Sequence, residues 1–396
     1  MRAFLILEDG TVFEGTHIGA EKEIISEIVF NTSMAGYPEV LTDPSYAGQA
    51  VCMTYPLIGN YGICKEDMES GRPWTDGLIV RELSRMGSNF RMDCTVQQFL
   101  EEYGVPGIAG IDTRALIKIL REKGTMNGMI TTDENYRLEE ILPRLKEYST
   151  GKVVEKVTCR QKYERKGVKK LEENGPLTGN VRFCKEDYEA GVHEKKPGIV
   201  RELKGAGKKV ALLDLGAKNN IVDSLAMRGC DVTIYPAFTK AEEILADKPD
   251  GIMLSNGPGD PKECASIIRE IRKLYDSDLP IFAICLGHQL MALATGADTY
   301  KMKYGHRGGN HPVKDLQTGR VYISSQNHGY VVDMEKLDPK VAAPAFINVN
   351  DGTNEGLSYT GKPVFTVQFH PEACPGPQDS GYLFDRFMEM MEGAWK

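Results

Sequence analysis

Residues 280–294 read PIFAICLGHQLMALA, and the reading of this stretch decides the fold. Ile281–Ile284 is an unbroken apolar run of strand length, and Leu286–Ala294 has helical spacing, with the single residue Cys285 between them. Unbroken apolar strands are covered on both faces, which is the signature of a parallel sheet sandwiched by helices. Outward from here the pattern repeats. Upstream, KVALLDLG starts at Lys209 and ends on a glycine; Asn219–Arg228 is helical; DVTIYP is a strand; Lys240–Ala246 is helical; DGIMLSNGPGDP is a strand and turn; Pro261–Tyr275 is a helix. Downstream come YISSQNHGYVV, PVFTVQFHPE and a closing helix over Ser380–Met391. Strands alternating with helices predict a doubly wound, mostly parallel α/β domain over residues 208–396. In such sheets ligands sit beyond the carboxyl ends of the strands.

The first 150 residues lack that alternation. Strands are expected at Ala3–Leu7, Glu27–Asn31 and Gly77–Val80, and helices at Thr95–Tyr103 and Thr113–Glu122. The second helix has Asp112 as N-cap and Gly124 as its stop. This half reads as an α+β domain with a substantial sheet. Residues 151–207 are polar, broken by Gly and Pro and locally rich in Lys and Arg. They read as a solvated connector, with a partner-docking surface as the alternative.

Three strand ends carry chemistry. Cys285 sits in a small-x-nucleophile-x-Gly turn flanked by Ala283 and Gly287, the form of a nucleophile elbow. The dipole of the helix that follows favours thiolate. At the end of VFTVQF, His370 and Glu372 stand two apart; in an extended chain such residues share a face. Glu372 would then orient the His370 ring while the other ring nitrogen faces Cys285, a Cys–His–Glu arrangement. In SNGPGDP, residues 255–261, the glycines let backbone N–H groups turn into the crevice, so the N–H groups of Gly257 and Leu286 are candidate oxyanion donors. No phosphate-binding loop is present.

Bulk properties exclude other classes. A net charge of −8 over 396 residues opposes a general nucleic-acid binder. No apolar run approaches the roughly 18–20 residues of a membrane helix. The N-terminus lacks the parts of a signal peptide, so a cytoplasmic protein is expected. Nine cysteines without a C-x-x-C pair predict small buried residues rather than disulfides or structural zinc. GHRGGNHP, residues 305–312, has two histidines but no carboxylate or thiolate at ligand spacing, so no metal is expected there.

Together SNGPGDP, ICLGHQ and FHPE resemble class I glutamine amidotransferases, in order and placement, over residues 208–396. Ala283 stands where many members have Gly. LEDGTVFEG, FNTSMAGYPEVLTDPSYAGQ, TYPLIGNYG and GIDTRALIKILREKGTMNG resemble the small subunit of carbamoyl-phosphate synthase. Amidotransferases serving GMP synthetase, CTP synthetase or anthranilate synthase lack such a preceding domain. The connector, residues 159–207, is longer and more basic than is usual for the family.

The resemblance implies a glutaminase with Cys285, His370 and Glu372 as catalytic residues. It implies glutamine contacts at Ser45, Gly257, Gly259, Leu286, Gln289, Asn327, Gly329 and Tyr330. Tyr330 is often Phe in relatives, so its hydroxyl is expected to be dispensable. It also implies that the chain binds no cofactor of its own and delivers ammonia to a separate large subunit, as a heterodimer or higher oligomer. ATP and Mg2+ would act only on that subunit, making carbamoyl phosphate for arginine and pyrimidine synthesis. The rival readings are a non-catalytic regulatory subunit, an amidotransferase of a different synthase, and a cysteine peptidase on a similar fold.

Overall fold

The computed structural model describes residues 1–168, 203–373 and 375–393. The N-terminal α+β domain is a closed barrel. Its strands run in the order Arg2–Leu7, Val12–Gly19, Pro106–Ala109, Gly77–Val80, Gln49–Met53, Ile24–Asn31 and Met126–Thr131, which returns to Arg2–Leu7. Closure leaves no unpaired edge. The ladder mixes antiparallel pairs with three parallel ones, Ile24–Asn31 on Gln49–Met53 on Gly77–Val80 on Pro106–Ala109. Both expected helices form. Val96–Glu102 starts with a capping box between Thr95 and Gln98, and Thr113–Lys123 starts at Asp112, whose carboxylate accepts the Ala115 N–H, and stops at Gly124.

The C-terminal domain is built on a sheet of ten strands among the described residues. Five of them form its parallel core, in the order Asp231–Pro236, Lys209–Asp214, Gly251–Leu254, Ile281–Ile284 and Val364–Val367. Alternation along each strand sends Ala211, Leu213, Ile252, Leu254 and Ala283 into one apolar cluster and Val210, Leu212, Met253, Phe282 and Ile284 into the other. Both faces are therefore covered by helices, as the unbroken apolar runs require. The ring of Phe282 stacks on Phe365 at 4.4 Å and meets Phe384 edge-on at 5.5 Å.

Beyond Val364–Val367 the sheet continues antiparallel, through Asn354–Tyr359, Ala342–Asn348, Asp298–Asp315 and Val321–Asp333. The YISSQNHGYVV segment is the edge strand of this extension. At the other edge, Tyr163–Arg165 pairs antiparallel with Asp231–Pro236. Part of the expected solvated connector is thus sheet, because its short β-forming run finds an open edge, and another part is the short helix Val154–Val157, with Val153, Val154 and Val157 buried; residues 169–202 lie outside the described residues. No described helix is long and apolar enough to cross a membrane.

The two domains meet along the antiparallel extension. Lys301 Nζ pairs with Glu27 at 2.7 Å, the Thr125 N–H donates to the Lys303 carbonyl at 2.9 Å, and the Thr32 N–H donates to the Arg307 carbonyl at 3.2 Å.

Candidate active site

Cys285 occupies the single residue between strand Ile281–Ile284 and helix Leu286–Ala294, with φ 52° and ψ −106°. This is a strained backbone for a residue with a side chain. The turn is held from both sides. The Cys285 N–H donates to the Val367 carbonyl at 2.8 Å, and the Gly287 N–H donates to the Ser255 carbonyl at 3.1 Å. A Cβ on Gly287 would lie 2.6 Å from the Leu254 carbonyl oxygen, and one on Gly257 would lie 2.2 Å from that of Leu215. Only glycine fits at either place, which is how the backbone of Gly257 comes up against Leu286. Ala283, at the first elbow position, is fully buried in the apolar cluster.

His370 follows the neighbouring parallel strand, Val364–Val367. Its N–H donates to the Ser325 carbonyl at 2.9 Å. Its Nδ1 lies 2.6 Å from Glu372 Oε1, which also takes Lys218 Nζ at 3.0 Å. The extended spacing expected of His370 and Glu372 is not what joins them. The regular strand stops at Val367, and a turn, with the Ala373 N–H on the His370 carbonyl at 3.1 Å, swings the carboxylate back to the ring. Nε2 of His370 is buried without a partner at hydrogen-bonding geometry, yet the Cys285 thiol is close enough to raise the ring's proton affinity.

All four side chains are nearly or wholly inaccessible. Burial disfavours the imidazolium of His370, but the Glu372 carboxylate overrides it and holds the ring's pKa well above its ordinary value, at about 10. Burial likewise disfavours the Glu372 carboxylate, and Lys218 and His370 together bring its pKa below the usual carboxylate range. Lys218 stays charged against its own burial because Glu372, Glu69 and Asp43 surround it. The arrangement is a line of alternating charges, Lys218–Glu372–His370, ending at a thiol. It stabilises an imidazolium next to a thiolate, the activated state of a nucleophilic cysteine. Away from this site, burial pushes the thiols of Cys230 and Cys264 up to about 12, where a thiol is inert. The seven described cysteines are all free.

Cys285 opens onto a cavity of about 330 Å³ at the junction of the domains. Ser45, Gly257, Gly259, Gln289, Asn327, Gly329 and Tyr330 line it, while Leu286, His370 and Glu372 stand behind. The structure thus gathers every residue singled out in the sequence at one place, with the cysteine as the boundary between cavity and charge line. The Gln289 amide donates to the Tyr330 carbonyl at 2.8 Å and to Gln368 Oε1 at 2.9 Å. Its own oxygen is therefore left as an acceptor.

Several participants were not anticipated. Asp43 caps the turn Pro44–Tyr46, accepting the Ser45 N–H at 2.8 Å on one oxygen and Asn327 Nδ2 at 3.0 Å on the other. Asn256 donates to Ser45 Oγ at 2.8 Å and accepts the Lys218 N–H at 3.1 Å. The Glu69 carbonyl accepts the Asn219 N–H at 2.8 Å, and its side chain accepts from Asn220. Asn256 lies inside the SNGPGDP motif and Asp43 inside FNTSMAGYPEVLTDPSYAGQ, so their positions were visible; nothing in the local sequence around Glu69 or Lys218 marks them.

A family model described as carbamoyl-phosphate synthase small chain, CPSase domain, matches residues 5–130, and one described as glutamine amidotransferase class-I matches residues 211–390. The carbamoyl phosphate synthase small chain of Clostridium perfringens is 48% identical over 389 residues, covering 98% of this chain and 99% of its own. That of Listeria monocytogenes is 47% identical over 392 residues, covering 99% and 97%. A solved glutamine amidotransferase from Thermotoga maritima aligns with 47% of this chain and 83% of its own, at 18% identity and a TM-score of 0.36. With near-complete coverage by relatives of this identity, the chain belongs to the carbamoyl phosphate synthase small chain family.

Proposed function

We propose that this chain hydrolyses L-glutamine to glutamate and ammonia through a thioester on Cys285. It hands the ammonia to a large subunit that makes carbamoyl phosphate. The observation that carries this reading is the buried Lys218–Glu372–His370 charge line ending at a strained cysteine that borders a polar cavity. The cavity is at the small end of the ~300–1,000 Å³ range of ligand pockets, which suits an amino acid.

The thiolate attacks the side-chain amide carbon. The N–H groups of Gly257 and Leu286 receive the developing oxyanion. The His370 imidazolium gives its proton to the departing ammonia, leaving the glutamyl thioester. The neutral ring then takes a proton from water, whose oxygen attacks the thioester carbon; glutamate leaves and the thiolate–imidazolium pair is restored. Glu372 keeps its charge throughout, because Lys218 offsets it. Ser45, Gly259, Gln289, Asn327, Gly329 and Tyr330 hold the amino and carboxylate groups of glutamine. A site that hydrogen-bonds those groups rejects analogues without them.

The family relationship supports a separate large subunit as partner, with ATP, Mg2+ and bicarbonate acting there, cytoplasmic location, and supply to arginine and pyrimidine synthesis. The barrel domain, residues 1–150, is the proposed docking surface for that subunit. Cys285→Ala in the assembled complex is expected to abolish glutamine-dependent carbamoyl phosphate synthesis while sparing the ammonia-dependent reaction. Equal loss of both, or loss of neither, overturns the assignment. A non-catalytic regulatory role would leave glutamine-dependent synthesis unchanged in that variant.

A further inference from the structure

We propose that His306, His328 and Glu355 form a binding site for a divalent transition-metal ion of the zinc class, beside the cavity that His328 also lines. His306 and His328 face each other across the antiparallel pair Asp298–Asp315 and Val321–Asp333, and Glu355 comes from Asn354–Tyr359. All three are buried, and one donor atom from each lies within 4.8 Å of the others. The sequence expectation of no carboxylate at ligand spacing holds only locally, since the sheet brings Glu355 to the histidines from another strand.

The outer bonds of each ligand fix which atom faces inward. His306 Nε2 lies 2.9 Å from Asp351 Oδ2, a carboxylate that only accepts, so this nitrogen carries the proton. In the neutral ring Nδ1 is then a lone pair, consistent with the Asn348 amide donor 3.4 Å away. His328 Nδ1 lies 2.8 Å from the Tyr330 carbonyl oxygen, so the proton sits there too and Nε2 is a second lone pair. That Nε2 is fully buried and bonded to nothing. Glu355 is oriented by Asn348 Nδ2 on Oε1 at 2.9 Å and Gln326 Nε2 on Oε2 at 2.8 Å. Two imidazoles each held by an outer N–H, plus a carboxylate held by amides, is how metal ligands are positioned.

One of the three ligand-to-ligand edges also fits. Glu355 Oε1 and His306 Nδ1 are 3.4 Å apart. That is long for a charged hydrogen bond, and it matches the roughly 3.3–3.4 Å edge of a tetrahedral site with bonds near 2.0–2.1 Å. Asp351 reaches solvent and gives an entry route. Imidazole and carboxylate donors suit zinc, cobalt or nickel better than calcium or magnesium, which take all-oxygen shells. A metal here would fasten the strand that carries Asn327, Gly329 and Tyr330 to the rest of the sheet. The rival occupant is a proton on His306 Nδ1, which burial opposes and which Asp351 and Glu355 favour more strongly.

The test uses the full chain, stripped with a chelator, loaded with Co2+ and passed through a sizing column. The wild type is expected to keep one Co2+, with the intense visible bands of a four-coordinate site and no thiolate charge-transfer band. Glu355→Gln is expected to bind at least about tenfold more weakly, with the circular dichroism of the metal-free chain unchanged and its melting lowered, because the amide of Asn348 or Gln326 loses its acceptor. Cys285→Ala should bind as the wild type does. No retained Co2+, equal retention by Glu355→Gln, a thiolate band, or loss of binding in Cys285→Ala each overturns the proposal. Should Glu355→Gln not fold, proton NMR of the Co2+-loaded wild type decides. Two strongly shifted, exchangeable imidazole N–H signals support the site, and fewer overturn it. None of these readouts depends on glutamine turnover.

Discussion

The charge line behind Cys285 and the shelf on the far side of the cavity are built on opposite plans. The three ionised groups of the line, Lys218, Glu372 and His370, all belong to the C-terminal domain and touch one another away from water, while Glu69 and Asp43 of the barrel add their charge around Lys218. On the shelf, the contacts are amide and hydroxyl groups shared between domains. Asn256 reaches Ser45, and Asn327 reaches Asp43. A buried charge is costly unless its partner is fixed, so the linked groups are kept within one domain. Amide and hydroxyl contacts cost less to rearrange, so the shelf can span a junction. The difference teaches that reactivity is housed in one domain while substrate recognition needs both. A lesion in the line should then act on kcat, and a lesion on the shelf on KM.

The largest effect is expected from Glu372→Gln, which keeps the volume and removes the charge. Glutaminase kcat should fall on the order of 100-fold or more, by analogy with neutralising the acid of a triad. KM should change little. The pH profile gives the sign. In the native protein burial and Lys218 lower the His370 pKa, and Glu372 more than reverses them. Without the carboxylate, burial and Lys218 both lower the ring's pKa and only the thiol of Cys285 still raises it, so the alkaline limb, where the imidazolium is lost as general acid, should move to lower pH. An unmoved limb would mean that the charge line does not set the protonation of His370.

How much of this was readable in the sequence follows the same division. Cys285 was legible because an unbroken apolar strand runs into it and a helix runs out. His370 and Glu372 were legible because they stand two apart at a strand end, although a turn rather than the pleat unites them. Lys218 was not. A lysine following Gly216 and Ala217 looks like a solvated loop residue, yet it is buried against Glu372 with the charges of Glu69 and Asp43 arriving from the other domain. Barrel closure was hidden for a related reason. It requires Met126–Thr131 to pair with both Arg2–Leu7 and Ile24–Asn31, and no local pattern encodes pairing over such separations. The parallel barrel strands are joined without the regular strand–helix alternation that announced the second domain.

Asp43→Ala tests the shelf. It strands the Asn327 amide and the Ser45 N–H inside the protein, a loss of about 1–3 kcal/mol. Because Asn327 and Ser45 line the cavity, KM for glutamine should rise roughly tenfold, with kcat within about threefold of wild type. Steady-state glutaminase kinetics on the complex separate the two constants. A fall in kcat at constant KM would place Asp43 with the charge line, through its influence on Lys218, and erase the distinction between the regions.

Tyr330→Phe should do least, and its smallness sharpens the comparison. The Tyr330 carbonyl oxygen takes both Gln289 Nε2 and His328 Nδ1 at 2.8 Å, so the backbone, not the ring, ties this residue into the shelf. Its hydroxyl lies near the Asp260 carboxylate at the partly exposed rim, where solvent screens the interaction. Phenylalanine keeps the strand, the carbonyl and the ring, so both kcat and KM should stay within about threefold, less than the 1.4 kcal/mol that a tenfold change represents. A tenfold rise in KM would mean that the hydroxyl itself touches glutamine. The shelf would then recognise its ligand through a side chain of the C-terminal domain, and the need for the barrel in recognition would shrink to Ser45 and Asp43.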